Sequence, residues 1–263
     1  MTNTLKPLNL GRRILTEEEV LEQLAGYQPT NPRQEPEPTP QPQPTREPEQ
    51  EADIIPQDYI LLESTGNYPD THISTTRIHQ GNNWFQAHEE LHKEGLYMPT
   101  LRQFVDFLKL LKGGKAFNGQ GNKIPKNQLE QILKEIIEVR APGRAEWLDA
   151  DFKVKSDILH INYNHRTVGG QLQPNQSEVL QPYLDQNKTP GIGLEYWLNN
   201  ATSRHGLPPA NTSDGSLYYW APMSDNNSVA RFDAYSGRAS LSCDGNPRDS
   251  NSSLGVRPCA RKN

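Results

Sequence analysis

The chain has 263 residues, a formal charge of -5 and a mean hydropathy of -0.84, with 33% hydrophobic residues, 22 prolines and 19 glycines. Globular chains are roughly 45–50% apolar on a similar count, so one packed domain over the whole length is excluded and part of the chain reads as solvated spacer. Net acidity without a Lys/Arg block argues against general nucleic-acid binding, which needs a basic footprint against phosphates. No stretch approaches the roughly 18 apolar residues of a membrane helix, and Met1 to Leu10 lacks the apolar core of a signal peptide. No membrane span is expected, and surface or virion display would need another route. Cys243 and Cys259 make neither a disulfide framework nor a zinc site alone. They read as one disulfide or, preferably, two buried thiols.

In chain order, residues 1–28 read as a short helix or anchor peptide, one that docks a partner or is simply frayed. Thr16 and Glu19 have capping-box spacing, and Leu15, Val20, Leu21 and Leu24 form a stripe ending near Gly26. Residues 29–56 read as a disordered Pro-rich linker, since eight of the twenty residues from Pro29 to Pro48 are proline among Gln, Glu and Thr. Folding is expected from near Ile54, with a domain over 57–263. Tyr59 to Leu62 and His72 to Ile78 read as strands. Trp84, Ala87 and Leu91 set helical spacing that stops at Gly95. A second helix opens on a Thr100/Gln103 box, with Leu101, Phe104, Val105, Leu108 and Leu111 on one face. A third is expected from an Asn127/Glu130 box through Leu129, Ile132, Leu133, Ile136 and Val139 to Pro142. Beyond Ala141, short strands and polar loops follow, with Trp147, Ile158 to Ile161 and Tyr196 to Leu198 as apolar islands.

His88-Glu89-Glu90-Leu91-His92 matches H-E-x-x-H, where imidazoles at i and i+4 can face one zinc and the Glu can serve its water as general base. The form with a third His fails, because Met98 occupies that place and a thioether is a poor zinc ligand. The preferred reading puts Trp84, Ala87 and Leu91 in the core and His88, Glu89 and His92 at its edge. A zinc-dependent hydrolase built on them is the alternative. Otherwise no catalytic residue, metal or cofactor is expected.

The C-terminal stretch is the informative one. Val229 to Cys243 alternates, with Ala230, Phe232, Ala234, Ala239, Leu241 and Cys243 on one side and Arg231, Asp233, Tyr235, Arg238, Ser240 and Ser242 on the other, about a Ser236-Gly237 turn. That is a β-hairpin pattern, and it predicts one packed face and one solvated polar face. Polar loops flank it at Ser224 to Ser228 and Asp244 to Ser253. Tyr and Arg supply contact area and small polar residues supply hydrogen bonds, as in adaptable binding surfaces.

Tyr219-Trp220, the run from Val229 to Gly237, and Leu254-Gly255-Val256-Arg257-Pro258-Cys259 resemble the closing portion of the C-type lectin-like, formylglycine-generating-enzyme-type fold. The resemblance is greatest to the variable proteins of diversity-generating retroelements, in which adenine-directed mutagenesis varies surface positions on a fixed scaffold. It covers residues of about 58–260, and is strong over roughly the last 45. It implies an α+β fold with two or three helices, among them those at Trp84 and Thr100, and a small antiparallel sheet. It also implies a variable region over about 218–251. The ligand-binding residues would be Tyr218, Tyr219, Asp225, Asn226, Asn227, Arg231, Asp233, Tyr235, Arg238, Ser240, Ser242, Asp244, Asn246, Arg248, Asp249 and Asn251. Trp220, Phe232, Leu241, Gly255 and Arg257 would be scaffold. The implied function is recognition of a macromolecular ligand, a protein first, without catalysis. A lectin-like adhesion module that is not diversified is the other reading. The sequence lacks the Glu-Pro-Asn, Gln-Pro-Asp and Trp-Asn-Asp motifs of calcium-dependent sugar binders. It also lacks the closely spaced cysteine pair of the formylglycine-generating enzymes.

Overall fold

The computed structural model describes residues 52–210 and 215–262. The Thr16 helix and nearly all of the Pro-rich linker lie outside the described residues. Within them the chain is α+β, with four α-helices and a large, mostly antiparallel sheet. The expected small sheet is therefore corrected, because long strands from the middle of the chain extend it. These are β3 (Arg144–Lys155), β4 (Ile158–Val168) and β5 (Gln171–Val179), which follow one another as antiparallel neighbours. With β6 (Lys188–Ile192), β7 (Leu217–Trp220), β8 (Ser228–Tyr235) and β9 (Arg238–Gly245), the order is β5-β4-β3-β8-β9-β7-β6. A short strand, β10 (Leu254–Val256), runs parallel to the start of β3, and β7 runs parallel to β9. A separate three-stranded sheet joins β1 (Tyr59–Leu62), β2 (Thr71–Ser74) and the last strand, β11 (Cys259–Arg261).

Local signals explain where the helices begin. In α1 (Trp84–Lys93), Asn83 caps the Gln86 N–H and the Gln86 side chain returns to the Asn83 N–H. Thr100 and Gln103 make the same reciprocal pair at α2 (Leu101–Gly113), which ends on Gly114 at φ 65°. Each pair satisfies two of the donors that a helix start leaves free. The expected box of α3 (Lys126–Ile137) is corrected: the helix starts a residue before Asn127, behind Pro125, and no side chain caps it. The fourth helix, α4 (Leu194–Asn200), grows from the Tyr196–Leu198 island and buries Trp197 and Leu198.

The larger core packs Phe104, Phe107 and Leu108 of α2 and Leu129 and Ile132 of α3 against Phe152, Ile161, Phe232 and Leu241 of the sheet. A second cluster joins Trp84, Ala87 and Leu91 of α1 to Ala145, Trp147, Val229, Leu254 and Val256. The two indoles are reciprocal anchors: Trp84 Nε1 donates to the Leu148 carbonyl and Trp147 Nε1 to that of Asn82, each at 3.0 Å. Arg257 is fully buried, donating to both oxygens of Glu146 and, at 2.9 Å, to the Ser74 carbonyl. Arg144 pairs with the same Glu146 carboxylate. Burial opposes the Glu146 charge, but Arg257 and Arg144 outweigh it and hold the carboxyl below its ordinary range.

Candidate functional site

The hairpin is formed by β8 and β9 about Ser236-Gly237. Its register opposes Arg231 to Ser242, Asp233 to Ser240 and Tyr235 to Arg238, and β7 sets Tyr218 beside Ser240 and Trp220 beside Ser242. The polar side chains of the hairpin thus share one sheet face with Tyr218 and Trp220, while Phe232 packs on Phe104 at 5.4 Å between ring centroids on the other.

The exposure expected of that polar face is corrected. Asp233, Ser240 and Ser242 are buried at 2–3% exposure on inner strands of the sheet, where Arg231 and Ser242 both bond Asp233. Asp233 accepts from Ser242 Oγ at 2.7 Å and from Arg231 Nε at 3.2 Å, and Arg231 also reaches Asp249 at 3.0 Å. Burial raises the pKa of Asp233 against the pull of Arg231 and Ser242, and its Oδ1 has no hydrogen-bond partner. Burial also raises that of Asp244. The guanidinium of Arg231 lies 6.0 Å from the Trp147 ring.

Tyr219 is also corrected. It is fully buried, with its hydroxyl donating to the Leu184 carbonyl at 2.8 Å, because strand alternation sends Leu217 and Tyr219 inward and Tyr218 and Trp220 outward. Trp220, expected as scaffold, therefore joins the outer face. There the exposed Arg238 lies over both aromatics, 5.6 Å from the Tyr218 ring and 5.3 Å from that of Trp220. Tyr235 is half-buried on the backbone of Gly143, where a Cβ would fall 1.9 Å from its ring. Gly255 is buried in β10, close to the Ile78 carbonyl, and Phe232, Leu241 and Arg257 are buried as well.

The loops hold their shape with their own side chains. Asp225 accepts from the Asn227 N–H, Asn246 from that of Arg248, and Asn251 from that of Ser253, at 2.9–3.0 Å. Asn226, at φ 61°, accepts from the Val154 N–H on β3. Asp225, Asn226, Asn227, Asn246, Arg248 and Asn251 are all exposed. Asx turns let these residues build a loop and still present polar atoms to solvent.

The H-E-x-x-H residues do not converge. His88 is buried, His92 is exposed, and Glu89 is held by Lys93 at 2.9 Å. His88 instead meets Asp149 of β3, its Nε2 lying 3.7 Å from Oδ1, and that carboxylate is bonded to the ring and N–H of His165 on β4. Asp151 Oδ1 lies 3.6 Å from His165 Nε2. The Trp84 ring covers both imidazoles, with centroids 4.3 Å from His88 and 5.2 Å from His165. Burial lowers the pKa of His88 to about 4, whereas Asp149 and Asp151 overcome burial at His165 and raise it to about 9. Sequence spacing could not find Asp149 and His165, which stand 61 and 77 residues beyond His88 and reach it only through strand pairing.

Cys243 and Cys259 are free, buried thiols, and burial raises both well above the ordinary thiol range. Among the described residues no helix is long and apolar enough to cross a membrane. Comparison with protein-family models, curated proteins and solved structures finds no match.

Proposed function

We propose that the protein is a non-enzymatic recognition module on a C-type lectin-like scaffold. In this reading the β7–β9 face and its flanking loops bind a macromolecular ligand, a protein first, and retroelement mutagenesis varies the exposed positions. The observation that carries it is the exposed Arg238 stacked over Tyr218 and Trp220, beside Tyr235 and the Arg231–Asp249 pair, on inner strands of a large sheet. Tyr, Trp and Arg carry most of the energy at protein interfaces, and a sheet beneath them limits the ordering cost of binding. The polar loops around residues 225–227 and 246–251 add hydrogen-bonding groups at its margins.

Sequencing the gene's neighbourhood tests the proposal. A reverse-transcriptase gene beside a near-copy of the segment encoding Tyr218 to Asn251 is the expected result. The two copies should differ only at adenines, with changes in codons such as those of Arg238, Asn227 and Arg248 and none in those of Phe232, Tyr219 or Leu241. If no such copy exists, or if its differences fall on other bases, the lectin-like adhesion module without diversification takes its place.

A further inference from the structure

We propose that His88, Asp149 and His165, with Asp151 at their edge, bind one divalent first-row transition ion of the zinc class that fastens α1 to β3 and β4. The proposal is independent of the recognition reading, since it concerns a different set of side chains. One ligand atom from each of the first three residues lies within 4.8 Å of those of the others, and all three residues are buried. Tetrahedral zinc at about 2.0–2.1 Å from N and O donors separates those donors by roughly 3.4 Å. His88 Nε2 lies 3.7 Å from Asp149 Oδ1, and His165, whose Nδ1 hydrogen-bonds that same oxygen, turns its Nε2 to Asp151 Oδ1 at 3.6 Å, so that both spacings are close to that value.

Two orphaned atoms point the same way. His88 Nε2 and Asp151 Oδ1 are buried without a hydrogen-bond partner, although such atoms are costly unless something satisfies them. An imidazole nitrogen binds a metal through its lone pair and gives up a proton where it carries one, and two imidazoles with carboxylates suit zinc and its neighbours better than calcium or magnesium. The backbone N–H of His165 also donates to Asp149 Oδ2 at 2.9 Å and so fixes the carboxylate. Full burial under Trp84 fits a closed structural site rather than one with an open coordination position. The ion would tie the middle of α1 to the sheet at the helix whose start already holds the Pro247 carbonyl, in the polar loop after β9, through the Trp84 N–H at 3.0 Å.

The test loads chelator-treated full-length protein with Zn²⁺ or Co²⁺ and measures bound metal, melting temperature and the visible spectrum of the cobalt form. One ion per chain, a raised melting temperature and tetrahedral Co²⁺ absorption are expected, with affinity falling roughly 100-fold or more in His88→Gln and His165→Gln. His92→Gln, at an exposed position, should bind as the parent does. The cobalt spectrum of the parent reads coordination directly even if a buried variant fails to fold. No stoichiometric binding by the folded parent overturns the proposal. So does binding that survives in folded His165→Gln but is lost in His92→Gln, which would restore the H-E-x-x-H pair.

Discussion

Arg231 and Arg238 share a sheet face but differ in what surrounds them. Arg231 is tied to Asp233 and Asp249, whereas Arg238 rests on Tyr218 and Trp220 at the surface. Arg238→Ala should therefore change stability by no more than about 0.5 kcal/mol, as surface replacements usually do. Ser242→Ala removes a donor from a buried carboxylate and should cost about 1–3 kcal/mol. Phe232→Ala empties core space and should cost about 3–5 kcal/mol. Urea melts of the three variants check this order. Glu146 stands between buried Arg257 and Arg144, so Glu146→Gln takes the paired carboxylate from buried Arg257 and leaves Arg144 with Glu135 alone, and should cost about 3–5 kcal/mol. Its folded pKa is depressed, so it binds protons less readily folded than unfolded. Its contribution is full above the ordinary carboxylate range and is lost as pH falls through the lower folded value. Acid melts of the parent should show stability falling in that window, with a shallower fall in Glu146→Gln.

At the scale of elements, the caps separate what sequence spacing can and cannot decide. Thr100 and Asn127 both precede a Gln or Glu by three residues, but only Thr100 accepts from the backbone of its own first turn. Thr100→Ala should cost about 1 kcal/mol, whereas Asn127→Ala should stay within about 0.5 kcal/mol, measured as shifts in the denaturation midpoint. Pro125 explains the difference, because its fixed φ starts the helix early and leaves Asn127 inside it. The β8–β9 hairpin was legible from alternation and from Ser236-Gly237, since both signals are local. Alternation divides side chains between two faces but does not say what lies above either face. For that reason the burial of Asp233, Ser240 and Ser242 could not be read from the strand itself.

At the scale of the molecule, α1 joins two regions that are far apart in the chain. Its Trp84 meets Leu148 and Pro247 through hydrogen bonds and covers the rings of His88 and His165. If the metal proposal holds, adding Zn²⁺ should slow backbone amide exchange in α1 and in the first half of β3, which hydrogen-exchange mass spectrometry would detect. The sequence by itself determined the starts of α1 and α2, the hairpin and its turn, and the aromatic and arginine composition of its outer side. These follow from capping, hydrophobic period and turn chemistry, which act over a few residues. Only the tertiary structure decided the width of the sheet, which of the two alternating faces of β7 turns inward, and the meeting of His88 with Asp149 and His165. Those depend on which strands pair and in what register, and such contacts between distant segments leave no local pattern along the chain.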